Sequence, residues 1–371
     1  MNTFVENEEN FSKMVKAGIK IITAGSFIFL LVFQGCFQNQ SVSFPEGKAY
    51  QKLSEYHLFK GTLANLTPNE KVLPYDLNSP LFTDYAFKKR FVYMPDGSSA
   101  NYVESEAFEF PKGAILVKNF YYPADFRKPE ENIRLLETRL LINRGEKWEA
   151  LTYLWNDEQS EAELDLAGGI TEVSWTHYDG SLKSTEYIIP NANQCKGCHS
   201  YKDKFTPIGP KARHLNKDFT YKSGTTNQLV NWQELGFLKN LPENQQEIPV
   251  LASYEDKSLD LNDRARAWLD INCAHCHNLN GPGNTSGLFL EAYETNPTTI
   301  GINKAPVAAG RAGHGKFDIV PGNPEGSILY HRIKSNDPGV MMPELGRSMY
   351  HEEGVELIKN WISAMKTDVG N

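Results

Sequence analysis

The stretch "RARAWLDINCAHCH", residues 264–277, decides how the chain is read. Asp260 or Asn262 stands before it as a helix cap, and Ala265, Trp268, Leu269 and Ile271 recur on one apolar side. The helix pattern runs directly into Cys273 and Cys276, with His277 immediately after. The same five-residue pattern appears once more, as Cys195, Cys198 and His199 in "NQCKGCHS", residues 193–200. Four of the five cysteines are spent on these two pairs, and the fifth is Cys36.

A two-residue gap is a poor disulfide staple, because the loop it closes is too short to remove much chain entropy. A thioredoxin-like redox pair and a four-thiolate zinc site are the other readings of such pairs, and neither needs a histidine after both. Cys-x-x-Cys-His is the pattern for covalent attachment of c-type haem. Two thiols one helical turn apart meet the two vinyl groups along one porphyrin edge, and the next residue lies below the ring. The expectation is therefore two covalently bound haems c. Cys195 and Cys198 hold one, with His199 as proximal iron ligand, and Cys273 and Cys276 hold the other, with His277. His275, inside the second spacer, is expected to face solvent.

The rest of the chain sets the frame. It has 371 residues and a formal net charge of −8, which argues against general nucleic-acid binding. Lys13, Lys16 and Lys20 precede an apolar run from Ile21 to Phe33, followed by Gly35 and Cys36. This is the layout of an export signal, and the apolar run falls short of the roughly 20 residues that span a bilayer. Gly35–Cys36 also fits a bacterial lipoprotein signal, with Cys36 lipidated, while Phe33 and Gln34 depart from that pattern. The expected location is periplasmic or cell-envelope, with possible membrane attachment through Cys36.

Between the signal and the first pair, "KKRFVYM", "GAILVKNFYY", "IRLLETRLLI", "KWEALTYLW" and "TEVSWTHY" are rich in β-branched and aromatic residues. They suggest an antiparallel sandwich or barrel. Trp148, Trp155 and Trp175 are expected in a core or against a haem. Arg134, Arg139 and Lys118 could meet a propionate, but exposed strand charges are the simpler reading. "NQLVNWQELGFLKNLP" reads as a short helix and "PENQQEIPVLASYEDKS" as a linker. The expected fold class is α+β multidomain: an antiparallel β-rich domain carrying a haem segment, then an all-α cytochrome c domain. The boundaries are 1–35 signal, 36–80 leader, 81–190 β-rich domain, 191–256 first haem segment and linker, and 257–371 cytochrome domain.

"YDLNSPLFTDYAFKKRFVYMP", "ETRLLI", "IPNANQCKGCH", "PIGPKARHLN", "RARAWLDINCAHCH" and "MMPELGR" resemble a family of bacterial dihaem c-type cytochromes. The C-terminal part also looks like a small class I cytochrome c. The resemblance implies dihaem electron transfer between redox partner proteins. It also implies crossing first and last helices, the last being "HEEGVELIKNWISAMK" with Val355, Ile358, Ile362 and Met365 at helical spacing. Met342, beside Pro343, is the expected sixth ligand of the second iron, with Met341 the alternative. Met/His ligation raises a reduction potential and seals the iron. Pro210 is expected to accept a hydrogen bond from His199. His214 and His177 are the candidate sixth ligands of the first haem, and an open iron there would give the alternative of a dihaem peroxidase or oxidase. A haem sensor is a third class. His314 and His331 read as loop or surface residues.

Overall fold

The computed structural model describes residues 40–308, 310–312 and 315–366. The expected signal, Cys36 and His314 lie outside the described residues. From Val42 onward the described residues form one compact unit.

Its spine is a six-stranded antiparallel sheet. The strands are β1 (Val72–Tyr75), β2 (Phe87–Tyr93), β4 (Ile115–Pro123), β5 (Ile133–Asn143), β6 (Trp148–Trp155) and β7 (Ala162–Asp165), paired in that order. The two-residue strand β3 (Ala100–Asn101) instead pairs in parallel with Leu238–Lys239. The hairpin β8 (Gly169–Thr176) and β9 (Leu182–Ile189) stands apart from the sheet ladder. Alternation along β4 explains why both sheet faces are covered. Ile115 and Val117 enter a core with Leu53, Tyr56 and Leu58 of the preceding segment. Leu116 turns the other way, into a core with Leu229 and Trp232. Farther along, Phe120 and Tyr122 meet Trp175 and Tyr187 of the hairpin.

The helices are short. They are α1 (Ala192–Cys198), α2 (Ala212–Leu215), α3 (Gln228–Glu234), α4 (Leu261–Leu269), α5 (Pro297–Ile300), α6 (Ile328–Lys334) and α7 (Glu352–Ala364). Helix α4 continues into a π turn, Asp270–Ala274, which carries Cys273. The expected α+β multidomain class with a separate all-α cytochrome c domain is corrected by these elements. Only α7 exceeds nine residues among the described helices, and most of the chain between Cys276 and α6 is turn and loop. The physical reason is local: "NGPGNTSG" and "ETNPTTIGINKAP" are dense in Gly, Pro, Asn and Thr, which favour turns over helix. Nor does the C-terminal part stand alone. Phe82 donates its backbone N–H to Asn272 Oδ1 at 2.8 Å. Asp84 accepts from the backbone N–H groups of Ser348 and Met349 at 2.8–3.0 Å. The expected linker is also structured: Leu251 N–H donates to Arg213 C=O.

Helices α4 and α7 pack together with Trp268, Leu269, Ile358 and Trp361 in one core. Trp268 reaches so close to α7 that a Cβ at Gly354 would lie 2.4 Å from its Nε1 and 2.7 Å from His351 Nδ1. Gly354→Ala is therefore expected to destabilise the protein by about 1–3 kcal/mol through overpacking, measured by urea denaturation. An unchanged denaturation midpoint would show that α7 can shift away from Trp268.

Candidate functional site

The two Cys–His segments reach one place by different routes. Asn191 caps α1 through the N–H groups of Asn193 and Gln194. The helix then presents Cys195 and Cys198 one turn apart and ends at His199. The π turn after α4 presents Cys273, and Cys276 and His277 follow in the next turn. The segments touch directly. Cys198 lies beside Cys276 and His275, and both neighbours lower its pKa. Lys202 N–H donates to Asn280 C=O at 3.0 Å, and Asn280 Nδ2 donates to Tyr201 OH at 3.1 Å. The Cys198–Cys276 contact lowers the Cys198 pKa and raises that of Cys276.

Both proximal candidates are held in the same tautomer. His199 Nδ1 lies 3.0 Å from Thr206 C=O. A carbonyl only accepts, so Nδ1 carries the proton and Nε2 a lone pair. His277 Nδ1 lies 3.2 Å from Ser286 Oγ. That hydroxyl donates its own proton to Gly283 C=O at 2.7 Å, so His277 Nδ1 is again the donor. Burial pushes the His199 pKa down to about 3 and that of His277 down to about 4. Both rings are thus neutral near pH 7, with Nε2 able to act as an acceptor or ligand. Gly281 and Gly283 allow this turn: a Cβ would come within 2.4 Å and 3.0 Å of Cys276 C=O.

A cavity of about 360 Å³ opens beside these segments. That is within the usual range for a small-molecule or cofactor site. Cys195, Cys198, His199, His275, Met341 and Met342 all line it. Its sheet wall comes from β2, β4, β5 and β6, and its far wall from Trp268, Asn272 and Arg347.

The expected cofactor complement, two covalently bound haems c, is corrected here. Among the described residues, no group of three or more His, Cys, Asp and Glu side chains comes together that could hold a metal ion. The segments pack against each other, and of their six expected attachment and ligand residues only Cys195, Cys198 and His199 line the cavity. Cys273 is buried in the core with Trp268 and Leu269. Both Cys-x-x-Cys-His segments remain facts of the sequence.

The other expected residues are distributed as follows. Met342 and Met341 both reach the cavity. Pro210 lines it too, but its carbonyl accepts from Phe108 N–H, and the His199 ring is held by Thr206 instead. His214 is buried away from the cavity, with Nε2 3.0 Å from Asp270 Oδ1. His177 sits beneath Trp175, whose Nε1 donates to its Nδ1 at 3.2 Å, and its Nε2 is 3.4 Å from Glu353. Neither lines the cavity that His199 lines.

Sequence reasoning missed three contributors. His275, expected in solvent, is half-buried on the cavity with Nδ1 unpartnered. Lys118 and Arg139, read as exposed strand charges, line the sheet wall together with Arg90. Period-two alternation was the available signal for these: Lys118 shares a strand face with Leu116 and Phe120. No family model, curated protein or solved structure matches the chain.

His351 also lines the cavity, stacked on Phe82 and accepting from Trp268 Nε1 at 3.0 Å. Burial lowers its pKa to about 4, despite Glu353 Oε2 at 3.5 Å. In the unfolded chain it protonates near pH 6.5. Its stabilising contribution is therefore complete above about pH 6.5 and is lost as pH falls toward 4. His351→Gln is expected to flatten the fall of urea-unfolding free energy between pH 7 and pH 4. An unaltered slope would show that His351 is not held neutral.

Proposed function

We propose that the chain is an exported electron carrier. The observation that carries this reading is the first Cys–His segment on the cavity: Cys195, Cys198 and His199 line it, and the His199 ring has its Nδ1 held and its Nε2 lone pair left for another partner. A fixed neutral imidazole beside paired thiols and a largely apolar cavity suits a tightly held redox group. The thiols Cys195 and Cys198 and the His199 ring are the side chains placed to hold such a group in the cavity. Met341 and Met342, which line the same cavity, offer soft thioether sulfur. Redox partner proteins would exchange electrons with it. Export, and attachment to a membrane through Cys36, rest on the N-terminal sequence.

A second reading, catalysis on peroxide or oxygen, is favoured by one observation: neither His177 nor His214 reaches the cavity. A single experiment separates the two. The full chain is expressed with its own signal in a host competent for cytochrome maturation, and the purified protein is titrated electrochemically while its spectrum is followed. A pyridine haemochrome assay identifies and counts any bound porphyrin. Reversible oxidation and reduction without peroxide turnover is the expected result. Peroxide turnover would establish the second reading, and a colourless protein with no redox transition would overturn both.

A further inference from the structure

We propose that Arg90, Lys118 and Arg139 form a carboxylate-binding row on the sheet wall of the cavity, with Lys118 as its centre. The sheet register puts them together. Arg90 on β2 stands opposite Lys118 on β4, which stands opposite Arg139 on β5. All three line the cavity. Like charges directly opposite on neighbouring strands repel, so such a row needs anions to balance it.

The protein supplies two. Arg90 Nη1 bonds Asp76 Oδ1 at 2.8 Å. Arg139 Nε bonds Glu137 Oε2 at 2.8 Å, and Glu137 is also held by Tyr187 OH at 2.6 Å. Lys118 has no third carboxylate among the described residues. Its Nζ lies over the Phe120 ring, 5.4 Å from the centroid. Burial, then Arg90 and Arg139, lowers its pKa to about 7, the direction expected of an ammonium group awaiting a counter-ion. An amino group without a carboxylate partner, on the wall of a largely apolar cavity, fits a carboxylate, whose charge-assisted bond would be strong there.

The carboxylate has two possible sources: a side arm of a redox group bound in the cavity, or a free organic acid. The first rests on the electron-carrier reading, and the second does not. The test uses the full-length exported protein, with hexanoate as the free-acid probe. Wild type, Lys118→Met and the exposed control Lys128→Met are compared by hexanoate calorimetry and by redox titration, with circular dichroism verifying the fold. Lys118→Gln replaces Lys118→Met if the latter does not fold. If the acid is free, Lys118→Met weakens hexanoate binding about ten- to hundredfold. If the carboxylate belongs to a bound redox group, Lys118→Met lowers the midpoint potential, because removing a nearby positive charge favours the oxidised form. Lys118→Arg retains the wild-type behaviour in either case. The proposal is overturned if Lys118→Met matches wild type and Lys128→Met in both measurements. A colourless protein would defeat the electron-carrier reading, and hexanoate binding would then decide on the row alone.

Discussion

Asp270 is the clasp on which the arrangement of the two Cys–His segments depends. Its carboxylate sits at the start of the π turn that leads to Cys273, and its side chain is 1 % exposed. It accepts from Arg213 Nε at 3.1 Å, His214 Nε2 at 3.0 Å and Ala292 N–H at 2.8 Å. Arg213 and His214 lie on α2, shortly after the first segment, and Ala292 lies beyond the second. One carboxylate thereby joins three stretches distant in sequence. Burying it alone would cost several kcal/mol, and these donors hold its pKa well below the ordinary carboxylate range against that penalty. Arg213 is engaged further by Ser105 C=O, which extends the clasp to the strand-rich part.

The same logic recurs at the other end of the cavity. Asp84, in a left-handed backbone conformation, gathers the N–H groups of Ser348 and Met349. Asn272 links Phe82 to Trp268. These polar ties connect the segment before β2 to the segments on either side of the cavity. They explain why the C-terminal third is built into the sheet's surroundings rather than forming a helical domain of its own.

The strands were largely legible in the sequence. "GAILVKNFYY" corresponds to β4 and "IRLLETRLLI" to β5, because runs of β-branched and aromatic residues buried on both faces have few alternatives. The last helix, expected over 351–366, is α7 at Glu352–Ala364. What was not legible depends on pairing between distant segments. Lys118 and Arg139 look like solvent-facing strand charges until the register places them side by side over a cavity. His275 looks idle until Cys198, far away in sequence, arrives next to it. Asp270 looks like an ordinary helix-terminal acid until Arg213 and His214 close on it. The "RARAWL" pattern predicts the helix found as α4, whereas the turn-rich composition after Cys276 overrides the helices that the family resemblance implies.

The cation row also constrains how the sheet can assemble. A strand displaced by a single residue exchanges its two faces. For β4 this would carry Lys118 into the aromatic and aliphatic layer around Tyr56 and Phe91. An ammonium group stranded there would meet no water and no counter-charge. Mispaired sheets are penalised before they can close, so the residues that furnish the cavity also proofread the alignment of the strands that carry them.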